Sequence, residues 1–167
     1  MNVLIEQIKN HPSRDGHTIV AVQSTIAGHH VFRRRPLSGL RFPLILKRES
    51  NNPVHSNAIM VESGCEDSYT TTVRSIVNDN GLDLFEKQIG RCPRKLADIL
   101  APLFDKTVIL QGRGVCSGVR KFLGHDEGGG QHLECIYMLK SKNAETGNNL
   151  KDVLNDNGFS AFLVLNE

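Results

Sequence analysis

The sequence predicts a mainly β protein of mixed α+β class, a small closed or partly open barrel of five to seven short strands carrying two helices. Three observations predict it. Short runs rich in Val, Ile and Leu, bounded by Gly, Pro, Asn or Ser, recur along the chain. Two other segments place apolar residues at helical intervals. With 167 residues, 39% hydrophobic and 23% charged, the chain is long enough to bury a core and short enough for one domain. It shows no internal repeat and no heptad pattern.

We expect residues 1–15 to be an N-terminal extension and 16–167 a single domain. The predicted strands are TIVAVQS (18–24), RFPLILKRE (41–49), NAIMVES (57–63), TVILQGRG (107–114), LECIYMLKS (133–141) and SAFLVLNE (160–167). Between the second and third lies SNNPVHS, dense in turn formers: Asn51 and Asn52 suit Asx-type bonds, and Pro53 fixes φ and removes a donor. Residues 64–84 hold a polar, acidic stretch ending in NDNG, predicted as an insertion with mobile edges and a short strand or helical turn near Thr72–Val77. Residues 124–132, with three consecutive glycines, predict a flexible loop.

In CPRKLADILAPLFD (92–105), Leu96, Ile99, Leu100, Leu103 and Phe104 share one helical face. Pro93 suits the first helical position, and Pro102 predicts a break near Leu100. The second helix is predicted over 147–158, capped by Asn148 or Asn149, with Leu150, Val153 and Leu154 buried and Gly158 at its end.

Net charge is only +2, but it is unevenly spread. Residues 1–60 hold eight Lys and Arg against three acids, and residues 61–86 hold one against six. A basic N-terminal part suits an anionic ligand, and a solvated surface gives the same tally. No apolar run is long enough to cross a bilayer, and the first residues lack a charged segment followed by an apolar one, so neither membrane insertion nor secretion is expected. Cys65, Cys92, Cys116 and Cys135 form no close pair, so reduced thiols of a nuclear or cytoplasmic protein are expected.

A zinc site would have to draw on Cys116, His125, His132 and Cys135. His132 and Cys135, three apart on a strand, point to opposite faces, so no metal is expected and Cys135 reads as a small core residue. His29 and His30 fit an exposed loop. GRGVCSG (112–118) lacks the Lys-Ser/Thr ending of a phosphate loop, and no nucleophile, base and orienting group gather in any motif. No enzymatic activity and no cofactor are expected.

The order of the elements, with Arg48-Glu49, Asn51-Asn52-Pro53, Asn57-Ala58-Ile59, Val61, Ile89-Gly90, Pro93, Leu96-Ala97 and Gly158-Phe159, resembles the HIRAN domain of the helicase-like transcription factor and related SWI/SNF-type DNA helicases. The resemblance covers residues 16 to 162, with 64–84 as an extra. It implies an OB-like barrel that grips single-stranded DNA at its 3′-hydroxyl end, in a nuclear setting such as DNA repair. It also implies that the end-reading set is changed. The family's Asp in the turn falls on His55 and the adjacent aromatic on Val54, while an Arg-Tyr pair after the first strand falls on Gln23 and Ser24.

The residues expected to meet nucleic acid are therefore Gln23, Ser24, Lys47, Arg48, Asn51, Asn52, His55, Arg91 and Arg94, with Arg33-Arg34-Arg35, Arg41 and Lys95 as further cations. Aromatic platforms for bases are few: no Trp, two Tyr and seven Phe. Two readings follow. One is a nucleic-acid-binding module, for single-stranded DNA foremost, with a diverged 3′-end pocket. The other is a protein-interaction or structural module that has lost DNA-end recognition.

Overall fold

A computed structural model describes residues 16–28, 39–124 and 130–164. Seven strands form one antiparallel sheet in the order β4-β3-β2-β5-β6-β1-β7. They are β1 (Thr18–Ile26), β2 (Phe42–Arg48), β3 (Ile59–Ser63), β4 (Gln88–Arg91), β5 (Ile109–Leu123), β6 (Gly130–Ser141) and β7 (Ala161–Val164). Three helices accompany them: α1 (Thr71–Asp79), α2 (Arg94–Asp105) and α3 (Ala144–Asp156).

The sheet rolls up because its two sides meet. Ala27, just past β1, bridges Arg91 at the end of β4, with two backbone bonds of 2.9 Å running in opposite directions. Gly90 makes that approach possible. A Cβ there would lie 2.3 Å from the Ala27 carbonyl oxygen and 2.7 Å from Ile26 Cγ2. Alternation directs Val20, Val22 and Ile26 of β1, Phe42, Leu44 and Leu46 of β2, and Leu133, Cys135, Tyr137 and Leu139 of β6 into one core. A smaller apolar layer lies on the other face, where Ala21, Ile136 and Val164 are packed by Ile19, Val115, Met138 and Phe162.

Several expectations need correction. Strand β4 was not predicted; four residues containing Gly90 and Arg91 show little apolar alternation. Strand β5 runs to Leu123 rather than ending at 114, and β6 begins at Gly130, so the hairpin reaches further than expected. A bulge between Cys116 and Arg120, with Gly118 at φ +77°, re-aims β5 on the way. Of the predicted loop 124–132, residues 125–129 lie outside the described residues, as do His29, His30, Arg33–Arg35 and 165–167.

The acidic stretch 64–84 contains a full helix. Thr70 caps α1 by accepting from the Val73 amide, and Tyr69, Val77 and Leu84 are buried in the main core. Ser63 and Tyr69 share a buried hydroxyl–hydroxyl hydrogen bond. The stretch therefore brings apolar anchors of its own and is packed into the fold.

Helix α2 continues through Pro102 to Asp105, where a break was expected. Leu96, Ala97, Leu100 and Ala101 are fully buried, and that burial outweighs the one hydrogen bond that proline removes. Pro93 sits at the N-cap, one position before the first helical residue. Helix α3 starts earlier than expected because Asn143, not Asn148 or Asn149, is its cap: its side-chain oxygen accepts from the Thr146 amide at 2.9 Å. Among the described residues no helix is long and apolar enough to cross a membrane.

Candidate nucleic-acid interface

The turn between β2 and β3 is organised by its own asparagines. The Glu49 amide donates to the Ala58 carbonyl at 2.9 Å and closes the loop. The Asn52 side-chain oxygen accepts from the amides of Val54 and His55, both at 3.0 Å. Asn51 and Pro53 are exposed, and Val54 is 84% exposed at the tip. Asn52 thus holds the turn's shape, while Asn51 is left facing solvent.

The turn is fastened to α2 through a residue that the sequence did not single out. Asp98 accepts from His55 Nε2 at 2.8 Å and from Asn57 Nδ2 at 3.2 Å, both on Oδ1. A carboxylate only accepts, so Nε2 carries the hydrogen and cannot itself accept from a ligand hydroxyl. The His55 bond holds the Asp98 carboxyl below its ordinary value of 3.8; desolvation opposes it, and Asn57 and the charge of Arg94 reinforce it. The place of Asp98, four residues after Arg94 on the exposed side of α2, bears no local mark of that contact.

The predicted cations divide into two groups. Lys47 pairs with Glu62 at 2.6 Å. Arg48 makes a two-pronged contact with Asp105, 3.1 Å on each side, and donates to the Ala58 carbonyl at 3.1 Å. Arg91 grips Glu49 at 2.8 and 3.2 Å, tying β4 to the start of the turn. Arg94, Lys95 and Arg41 are exposed and make no carboxylate pair among the described residues. Lys95 instead places its ammonium 5.4 Å from the Phe159 ring centre.

Arg94 and Lys95 also open α2. Its first turn carries no acid, and the amides of residues 94–96 precede the first helical bond, Ala97 to the Pro93 carbonyl at 2.9 Å. Two cations and the positive end of a helix therefore stand together beside the turn.

Gln23 and Ser24 lie on β1 opposite Ile136 and Cys135, and the Gln23 amide donates to the Ser160 carbonyl at 3.0 Å. Their side chains are half-buried, and no hydrogen bond joins either to the turn among the described residues. The tyrosines are buried, Tyr69 at 3% and Tyr137 at 0% exposure, and Tyr137 donates to the Thr25 carbonyl. Phe122, near the end of β5, is 79% exposed and was not singled out in the sequence.

The residues weighed for zinc are used otherwise. His132 Nδ1 and Thr25 Oγ1 are 2.8 Å apart in a buried hydrogen bond. Cys135 is fully buried among core side chains. His125 lies outside the described residues, and no group of three metal-capable side chains gathers among those described. Burial pushes the Cys116 thiol up to about 12 and raises Cys92 and Cys135 as well.

The HIRAN domain family model matches residues 19–124, more than half of the chain. The crystal structure of the HIRAN domain of human HLTF is similar in fold, with a TM-score of 0.54 and 20% identity over 87% of this chain and 97% of that one. The NMR structure of the HLTF HIRAN domain in its DNA-bound conformation has a TM-score of 0.52 and 20% identity, over 87% and 94%. Comparison with curated proteins gives no match. With that family model matching well over half of its length, the chain belongs to the HIRAN domain family.

Proposed function

We propose that residues 16–167 act as one domain that binds single-stranded nucleic acid, DNA foremost, mainly through cations, with a 3′-end pocket diverged from the family's. The observation that carries this reading is the pair Arg94 and Lys95, exposed, in no close salt bridge among the described residues, and set at the positive end of α2 beside the turn. The HLTF HIRAN domain has been solved in a DNA-bound conformation, and family membership supports the same ligand class here. The divergence rests on His55, whose Nε2 hydrogen already goes to Asp98. In this reading the domain carries no catalysis and no cofactor of its own, and works in the nucleus.

A second reading, a protein-interaction module, draws on Val54, an apolar side chain exposed at the tip of the turn. A titration with single-stranded DNA bearing a free or a blocked 3′-hydroxyl, at two salt concentrations, separates the two. We expect salt-sensitive binding indifferent to the block. The variant carrying His55→Asp, Gln23→Arg and Ser24→Tyr, with Asp98→Asn to remove a facing carboxylate, is expected to gain preference for the free end. A parent that already discriminates 3′ ends as strongly as the rebuilt protein overturns the divergence. If the parent binds no single strand at either salt, the nucleic-acid reading falls and the interaction module takes its place.

A further inference from the structure

The β5–β6 hairpin extends past the barrel. Residues 119–122 are all exposed, Val119 at 51% and Phe122 at 79%. Register shows which way they face. Arg120 lies opposite Leu133 and Phe122 opposite Gln131, and cross-strand partners share a face. Leu133 is fully buried in the main core, above Cys135 and Tyr137 on the same side of β6. Arg120 and Phe122 therefore continue the barrel's interior face beyond its last core residue, onto an open ledge.

That ledge stands at the same end of the barrel as the cations. Leu133 pairs with Ile26, and the next residue, Ala27, bridges Arg91. Arg120 and Arg91 are thus within one residue of the same level on strands β5 and β4, with β6 and β1 between them. Three interstrand steps of about 4.8 Å, with that one-residue offset, put them about 15 Å apart around the wall.

We propose that this hairpin is a stacking ledge for single-stranded nucleic acid, with Phe122 receiving a base and Arg120 a neighbouring phosphate. The proposal rests on the nucleic-acid reading above and supplies the aromatic platform that reading lacks. The chain has no Trp, both tyrosines are buried, and Phe122 is the one large aromatic strongly exposed among the described residues. Arg120 makes no carboxylate pair among the described residues; the Gln131 amide oxygen, in the orientation its neighbours require, accepts from it at 3.2 Å. Lys121, on the opposite face, is drawn to Glu134 at 3.7 Å. In the sequence Asp126 and Glu127 follow Arg120 and Lys121 and offset their charge, so stacking is what distinguishes this stretch.

Phe122→Trp creates the chain's single tryptophan and reports on the ledge directly. We expect its fluorescence to be quenched by a single-stranded oligodeoxythymidine, saturating together with the anisotropy of the labelled strand. Phe122→Ala should weaken binding roughly tenfold while leaving the slope of log affinity against log salt unchanged. A parent that binds, with Phe122→Ala binding equally well and the Trp signal unmoved, overturns the ledge alone. A Trp signal that shifts with protein concentration and no DNA overturns it in favour of contact between copies. A parent that binds no single strand removes the underlying reading and the ledge together.

Discussion

At the level of single residues, the pair His55–Asp98 decides how the turn behaves. Its hydrogen runs from ring to carboxylate, so His55→Asp would set two carboxylates face to face where a 2.8 Å bond now stands. We expect that substitution to destabilise the protein and Asp98→Asn to restore most of the loss, a coupling on the order of 1 kcal/mol in a double-mutant cycle by chemical denaturation. The pH dependence has a definite sign. The Asp98 carboxyl is held lower when folded than when unfolded, so its contribution is complete above the ordinary value of 3.8 and is lost as pH falls through the depressed one. The stability difference between parent and Asp98→Asn should therefore shrink in strongly acidic buffer; a difference that grows there contradicts the assignment. The cysteines give another residue-level test. With Cys92, Cys116 and Cys135 buried and their thiols raised, a thiol reagent should label Cys65 alone in the native protein and all four after unfolding.

Among the elements, α2 and β4 bear most on the interface. Leu100 is fully buried on the inner side of α2, and Leu100→Ala is expected to lower stability by about 2–5 kcal/mol, read from thermal or urea unfolding. Gly90→Ala should cost on the order of 1–3 kcal/mol despite adding only a methyl group, because that methyl meets the Ala27 carbonyl and neither backbone can retreat without parting the bridge. The elements differ in how plainly the sequence announces them. Alternating β-branched residues mark β1, β2 and β3, and the stripe from Leu96 to Phe104 marks α2. Strand β4 is four residues long and is recruited by its neighbours, a tertiary effect with no local trace. Helix α1 escapes for a different reason: its anchors, Val73 and Val77, are sparse in a polar segment, and Tyr69 and Leu84 flank it from outside. Asp98 is hidden in the same way, since nothing local shows that the turn will be laid against the exposed side of α2.

For the whole molecule, the ion pairs sort the basic residues into those that hold the fold and those available to a ligand. Arg48 braces Asp105 and the Ala58 carbonyl, so Arg48→Ala should lower the melting temperature as well as any affinity for nucleic acid. Arg94→Ala and Lys95→Ala should leave stability within about 0.5 kcal/mol and flatten the salt dependence of single-strand binding by roughly 0.7 each in log-log slope. Equal slopes for parent and both variants would place the phosphates elsewhere.

Among the described residues a single bridge, Ala27 to Arg91, joins β1 to β4, and it makes the barrel's closure a local event with its own clock. Two amides, one on each strand, are protected by each other's carbonyls and by little else. They should exchange with deuterium as a matched pair, faster than the amides of β1 and β6, whose ladder is nine residues long. Because the Arg91 side chain holds Glu49 at the start of the turn, a ligand that draws that guanidinium away would loosen the latch. Occupancy at the turn would then be heard at the far strand, as a change in the exchange rate of the Ala27 amide.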